Sequence, residues 1–144
     1  MLIAGYETFA GEQMNVVSAT STQALALNMA AYRQTVIAYV QAHPTFNGAV
    51  QANQLTPTAN YKPNPMWQGY VQNNLVVVYT TSTVSPELVV DISKLAQGSV
   101  FAGRALNGNE VPPTDATIAI PLPPGIAGAI PNGSPVWLAQ AYAS

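Results

Sequence analysis

A chain of 144 residues is the size of one domain, long enough to bury a core without disulfides or metals. Its apolar fraction of 49% is ordinary, but only 7% of its residues are charged, against about 25% in a typical soluble domain, so little electrostatic steering of a charged partner is available. The four basic residues, Arg33, Lys62, Lys94 and Arg104, are scattered through a chain of net charge −2 and give no footprint for nucleic acid, while the absence of cysteine excludes thiolate catalysis and zinc-thiolate sites.

The chain opens on Met1-Leu2-Ile3-Ala4, an apolar run too short for a signal peptide or for a spanning helix, which needs about 20 apolar residues. The stump of a removed membrane anchor is one way to account for it. From about Glu12 to His43 there is no proline, and His43-Pro44 then gives a stop, so one long helix is predicted. Leu25, Met29, Tyr32, Val36 and Tyr39 recur at spacings of four, three, four and three and form the stripe expected to face the core. Upstream the stripe continues as Ser18 and Thr22. The first half of the helix is therefore polar where it would be buried, and reads as a stem that projects or packs on something outside this chain. The domain reading is a polar helical stem over 1–23 and a single globular domain over 24–144.

Residues 44 to 66 are rich in Pro, Asn, Thr and Gly and form an excursion rather than a linker. Met66 to Val71 and Leu75 to Thr81 then read as two strands of a hairpin around Gln72-Asn73-Asn74. A second, short helix starts at Ser85 as cap, Pro86 in first position and Glu87 at the positive end of the dipole. Leu88, Val89, Ile92 and Leu95 make its expected buried face, with Gly98 as the stop. Ser99 to Leu106, Thr117 to Ile120 and Val136 to Tyr142 are further strand candidates, which their flanking prolines confine to sheet edges or connections. The predicted fold is α+β: a long N-terminal helix packed on a mainly antiparallel sheet of four to five strands, with a second short helix.

No catalytic constellation emerges. His43, the one histidine, lacks nearby partners for metal binding or base catalysis and is expected to cap carbonyls at the helix end. Glu87 and Asp91 share a helix face, but Glu87 is explained by the helix start and Asp91 by an ion pair with Lys94. Glu110 and Asp115 flank Pro112-Pro113 and are expected to keep a loop soluble. Ser99 and Ser134 follow glycines without the nucleophile-elbow pattern, and no glycine-rich phosphate cradle occurs. Asn132-Gly133-Ser134 matches a glycosylation acceptor formally but reads first as a turn. No catalytic residue, metal ligand or cofactor is assigned. Tyr61, Trp67 and Tyr70, set among prolines and amides, are the candidate partner surface; the competing reading is that Trp67 and Tyr70 anchor a loop and strand to the sheet.

The segment Asn28-Met29-Ala30-Ala31-Tyr32-Arg33-Gln34-Thr35-Val36, then Tyr39-Val40-Gln41-Ala42-His43-Pro44 and Phe46-Asn47-Gly48, resembles the PilM proteins of plasmid-type thin pili, a type IVb pilus and conjugation system. These are distinct from the actin-like protein of the same name. Ile118-Ala119-Ile120-Pro121-Leu122-Pro123-Pro124-Gly125-Ile126 and the later Ile130-Pro131-Asn132-Gly133 resemble that family's C-terminal pattern. The resemblance implies a non-enzymatic pilus assembly protein, anchored in the inner membrane with its globular part in the periplasm, whose partners are other pilus assembly proteins. Family members begin with an apolar anchor, and this chain departs from them there. A minor pilin or pilus-tip subunit is the alternative within the machine; a carbohydrate-binding module centred on Trp67 and Tyr70 is the alternative outside it.

Overall fold

The computed structural model describes residues 10–56 and 63–141, with residues 10–21 as backbone alone. Helix α1 runs over Ala10–Ala42. It buries Ala26, Met29, Tyr32, Val36 and Val40, while Leu25 and Tyr39 of the predicted stripe lie at its half-buried margins. The shift follows from a second neighbour: α1 packs on the short helix α2 (Glu87–Leu95) as well as on the sheet, which turns the small Ala26 inward. His43 ends the helix as expected, its Nδ1 donating to the Tyr39 carbonyl at 3.0 Å and its ring stacked on Tyr39.

Among the described residues the sheet has seven strands in the order β1-β2-β3-β7-β4-β5-β6, every neighbouring pair antiparallel. They are β1 (Gly48–Ala49), β2 (Gln68–Gln72), β3 (Leu75–Tyr79), β4 (Ala102–Leu106), β5 (Asn109–Val111), β6 (Ile120–Pro121) and β7 (Pro135–Gln140). The count exceeds the four to five expected because β1 and β5 lie in stretches read as loop; the candidate strand Thr117 to Ile120 is reduced to the two-residue edge β6. Two hairpins are closed by two-residue turns with both central residues at positive φ, Asn73-Asn74 at 52° and 68° and Asn107-Gly108 at 51° and 83°. That is the turn geometry whose twist matches paired strands. Strand β7 is central, between β3 and β4, rather than at an edge. Its proline is the first residue of the strand, where a missing N–H is tolerated.

Both faces of the sheet are covered. Val71, Val76, Val78, Ala102, Trp137 and Ala139 pack under α1 and α2. On the other face Val77, Tyr79, Ala105, Val136 and Leu138 pack under Leu122, Ile126 and Ile130, from the segment that contains the one-turn helix α3 (Pro124–Ala127). Three layers explain why β3 is a continuous apolar run rather than an alternating one.

Helix α2 begins as expected, with the Ser85 hydroxyl accepting the Glu87 N–H at 3.3 Å and Pro86 already helical at φ −62°. Its end differs. Gly98 N–H donates to the Ser93 carbonyl and Gln97 N–H to that of Lys94, so the left-handed position of this Schellman cap is taken by Gln97, at φ 56°, one residue before the glycine. Leu95, expected in the core, is 43% exposed, and the buried face is completed by Ser93.

Candidate interaction surface

The groove between α1 and α2 gathers what the sequence pattern placed elsewhere. Leu27, off the predicted stripe of α1, is 59% exposed, and Val90 and Leu95 of α2 are 46% and 43% exposed. Gln23, Ala26 and Leu27 line one end of the groove with Asp91, Lys94 and Leu95. The groove continues through Leu95 to Ala30, Arg33, Gln34, Ser99 and Trp137. Asp91 and Lys94 do not form the expected ion pair, and neither has a partner among the described residues. Isolated exposed apolar residues are normal on a protein surface, but Leu27 and Leu95 around one groove, with two charges of opposite sign that have no partner among the described residues, make a surface suited to contact.

Arg33 is fixed at the lower end of this groove. Strand β4 begins opposite Trp137, and just beyond that point the Leu138 N–H still donates to the Phe101 carbonyl at 2.8 Å, after which the chain before β4 turns away. The Leu138 carbonyl instead accepts from Arg33 Nε at 3.1 Å and Nη2 at 3.0 Å, and the guanidinium lies 5.1 Å from the centre of the Trp137 ring. Burial lowers its pKa, yet a guanidinium stays charged throughout the physiological range. The side chain thus supplies the donors for a carbonyl at the end of the β4–β7 ladder while keeping a cation at the rim.

Trp67 and Tyr70 are not brought together. Trp67 is buried on the helix face of the sheet, its Nε1 donating to Asn28 Oδ1 at 3.0 Å; the same oxygen accepts the Asn64 N–H at 2.8 Å. Tyr70 is half-buried on the opposite face, against Gly125 of α3. Residues three apart on a strand point to opposite faces, so Trp67 and Tyr70 cannot form one platform. Tyr61 lies outside the described residues, as does the side chain of Ser18; Thr22 is half-buried.

Glu110 corrects the reading of its loop. Rather than keeping a turn soluble, it sits in β5 paired with Ala105 of β4 and Ile120 of β6, fully buried, over Gly103. Neither carboxyl oxygen has a hydrogen-bond partner among the described residues, and burial pushes its pKa up to about 8. Asp115 does sit exposed, holding the Thr117 N–H and hydroxyl, which keeps its carboxyl below the usual range. Among the described residues no three His, Asp or Glu side chains come together as a metal site would need, and no helix is long and apolar enough to cross a membrane.

The sequence profile of the PilM family matches residues 1–138 of the chain. The chain belongs to the PilM family. The fold is shared with a crystal structure described as PilM from Escherichia coli B7A, at 20% sequence identity and a TM-score of 0.57, covering 84% of this chain and 93% of that one. No curated protein matches the chain. Membership connects the chain with the machinery of thin pili and conjugation. Of the segments that resemble PilM, the first supplies Asn28 and Arg33, which tie α1 to Trp67 and to β7. The second supplies Leu122 and Ile126, which cover the far face of the sheet.

Proposed function

We propose that this chain is a non-enzymatic component of thin-pilus biogenesis or conjugation machinery that acts by binding other pilus assembly proteins through its α1/α2 face. The observation that carries the reading is the groove with exposed Leu27 and Leu95 and with Asp91 and Lys94, which have no partner among the described residues, found in a chain of the PilM family. In the same reading, residues 1–23 are a stem below a single globular domain over 24–144. The whole is a periplasmic domain tethered to the inner membrane, which the resemblance of its helix and turn motifs to PilM supports. The continuity of α1 from Ala10 into the packed region fits a stem, since a helix rises about 1.5 Å per residue and carries its register rigidly.

Deletion of the gene tests the role. Cells lacking it are expected to show no thin pili in electron micrographs and no pilus-dependent transfer; normal piliation would overturn it. Protease added to spheroplasts is expected to digest the protein while sparing cytoplasmic markers. Recovery in sheared fibres rather than with inner membranes would favour the minor-pilin reading. The carbohydrate-binding reading has lost its platform, because Trp67 is buried and Tyr70 faces the other side of the sheet.

A further inference from the structure

Arg33 is a half-buried cation that no acidic side chain pairs with among the described residues. A guanidinium carries five N–H donors, and the Leu138 carbonyl takes only Nε–H and one of the two on Nη2. That uses one edge of the fork. The other edge, formed by Nη1 and the second Nη2–H, has no acceptor among the described residues, and its parallel donors match the two oxygens of a carboxylate. A carbonyl can be satisfied by a neutral donor, so the tie to β7 accounts for the hydrogen bonds and leaves the charge unexplained. Arg33 lines a cavity together with Gln34, Leu95, Ser99 and Trp137. The Ser99 hydroxyl accepts the Phe101 N–H at 3.1 Å and keeps its own proton to donate, and Gln34 adds an exposed amide. One cation, two neutral donors and the apolar walls of Leu95 and Trp137 suit a singly charged carboxylate on an aliphatic stem. A phosphate dianion calls for a cluster of cations instead.

We propose that Arg33, Ser99 and Gln34 form a carboxylate-binding site that takes an acidic side chain of a partner protein, whose neighbouring apolar residues lie on Leu95 and Leu27. The inference rests on the reading of the α1/α2 face as a contact surface and names the chemistry that face recognises. Leu27 and Leu95 border the adjoining part of the same groove, so the apolar contact and the charged one are continuous. Paired parallel hydrogen bonds to one carboxylate also fix how the partner lies in the groove.

An NMR titration of the full chain with isovalerate tests this without reference to pili, with the neutral isovaleramide and inorganic phosphate as comparators. The readouts are the Arg33 Nε–H and the Trp137 indole N–H; the Trp67 indole N–H, buried and bonded to Asn28, is the internal control. Isovalerate is expected to shift the first two saturably, with a dissociation constant on the order of millimolar, and to leave Trp67 unmoved. Isovaleramide is expected to bind roughly 10-fold more weakly or worse, because it lacks the charge that strengthens the bonds to the guanidinium. Arg33→Gln is expected to abolish the titration. Ser99→Asp retains an acceptor for the Phe101 N–H while supplying the cavity with a carboxylate of its own, and is expected to weaken isovalerate binding by roughly 10-fold or more. The comparison of acid with amide on wild type stands whether or not either variant folds. Absence of a saturable shift, equal binding of acid and amide, binding of phosphate in preference to isovalerate, or an unchanged titration in either folded variant would each overturn the proposal. If wild type ignores isovalerate while charging Leu27 and Leu95 abolishes pili, the carboxylate site falls and the contact face stands; isovalerate binding with piliation untouched by that charging does the reverse.

Discussion

At Glu110 the fold holds a carboxyl group out of water with no donor among the described residues for either oxygen, so the neutral acid is the form it accommodates. Its pKa rises from 4.5 to about 8, and between these values the native state binds a proton that the unfolded chain has released. The contribution is therefore complete below the unfolded value and is lost as pH rises through the folded one. Glu110→Gln keeps the shape and removes the titration. Its melting temperature is expected to lie near that of wild type at about pH 5 and clearly above it at about pH 9; parallel curves would contradict the assignment. Asn28 is a second residue whose importance is local: Asn28→Ala strands the buried Trp67 N–H and the Asn64 N–H, and is expected to cost about 1–3 kcal/mol in urea unfolding with a red-shifted tryptophan emission. Of the two tryptophan-side facts, the opposed faces of Trp67 and Tyr70 were legible from strand alternation, whereas the burial of Glu110 was not. Three residues, Asn-Glu-Val before Pro112-Pro113, are too short to show a period.

Among the elements, those with strong local chemistry were the ones readable from sequence. The cap at Ser85-Pro86-Glu87, the stop at His43-Pro44 and the Val76–Tyr79 run all appear where their residue types demand. What escaped depends on packing partners rather than on local residue type: β1 forms by pairing with β2 and β5 by pairing with β4, and Pro135 enters a central strand because its nitrogen sits at the first position. Gly103 shows how tightly β4 and β5 are joined, since a Cβ there would overlap the Val111 carbonyl and the Glu110 carboxyl. Gly103→Ala is expected to destabilise by about 1–3 kcal/mol, as overpacking does, and an unchanged urea midpoint would count against this geometry. Gln97→Gly should act in the opposite sense. Relieving a left-handed non-glycine residue at the α2 cap is expected to stabilise by about 1 kcal/mol, read as a rise in melting temperature.

For the whole molecule, the α+β class followed from grouping of helices and strands, but the covering of the second sheet face by residues 120–134 did not, because Pro-rich segments carry no period that announces what they pack on. The contact face was hidden for a related reason. Leu95 fits the core stripe of α2, and only the packing of α1 against that helix shows that it lies at a rim with Leu27. A pilus component working through this face should fail when the face is charged even though its core is intact. The most direct measurement is complementation of a deletion strain with Leu27→Glu/Leu95→Glu, after showing that the purified variant melts within a few degrees of wild type, as surface substitutions do. Electron micrographs are expected to show cells without thin pili while the variant protein accumulates normally; wild-type piliation from that variant would contradict the role assigned to the α1/α2 face.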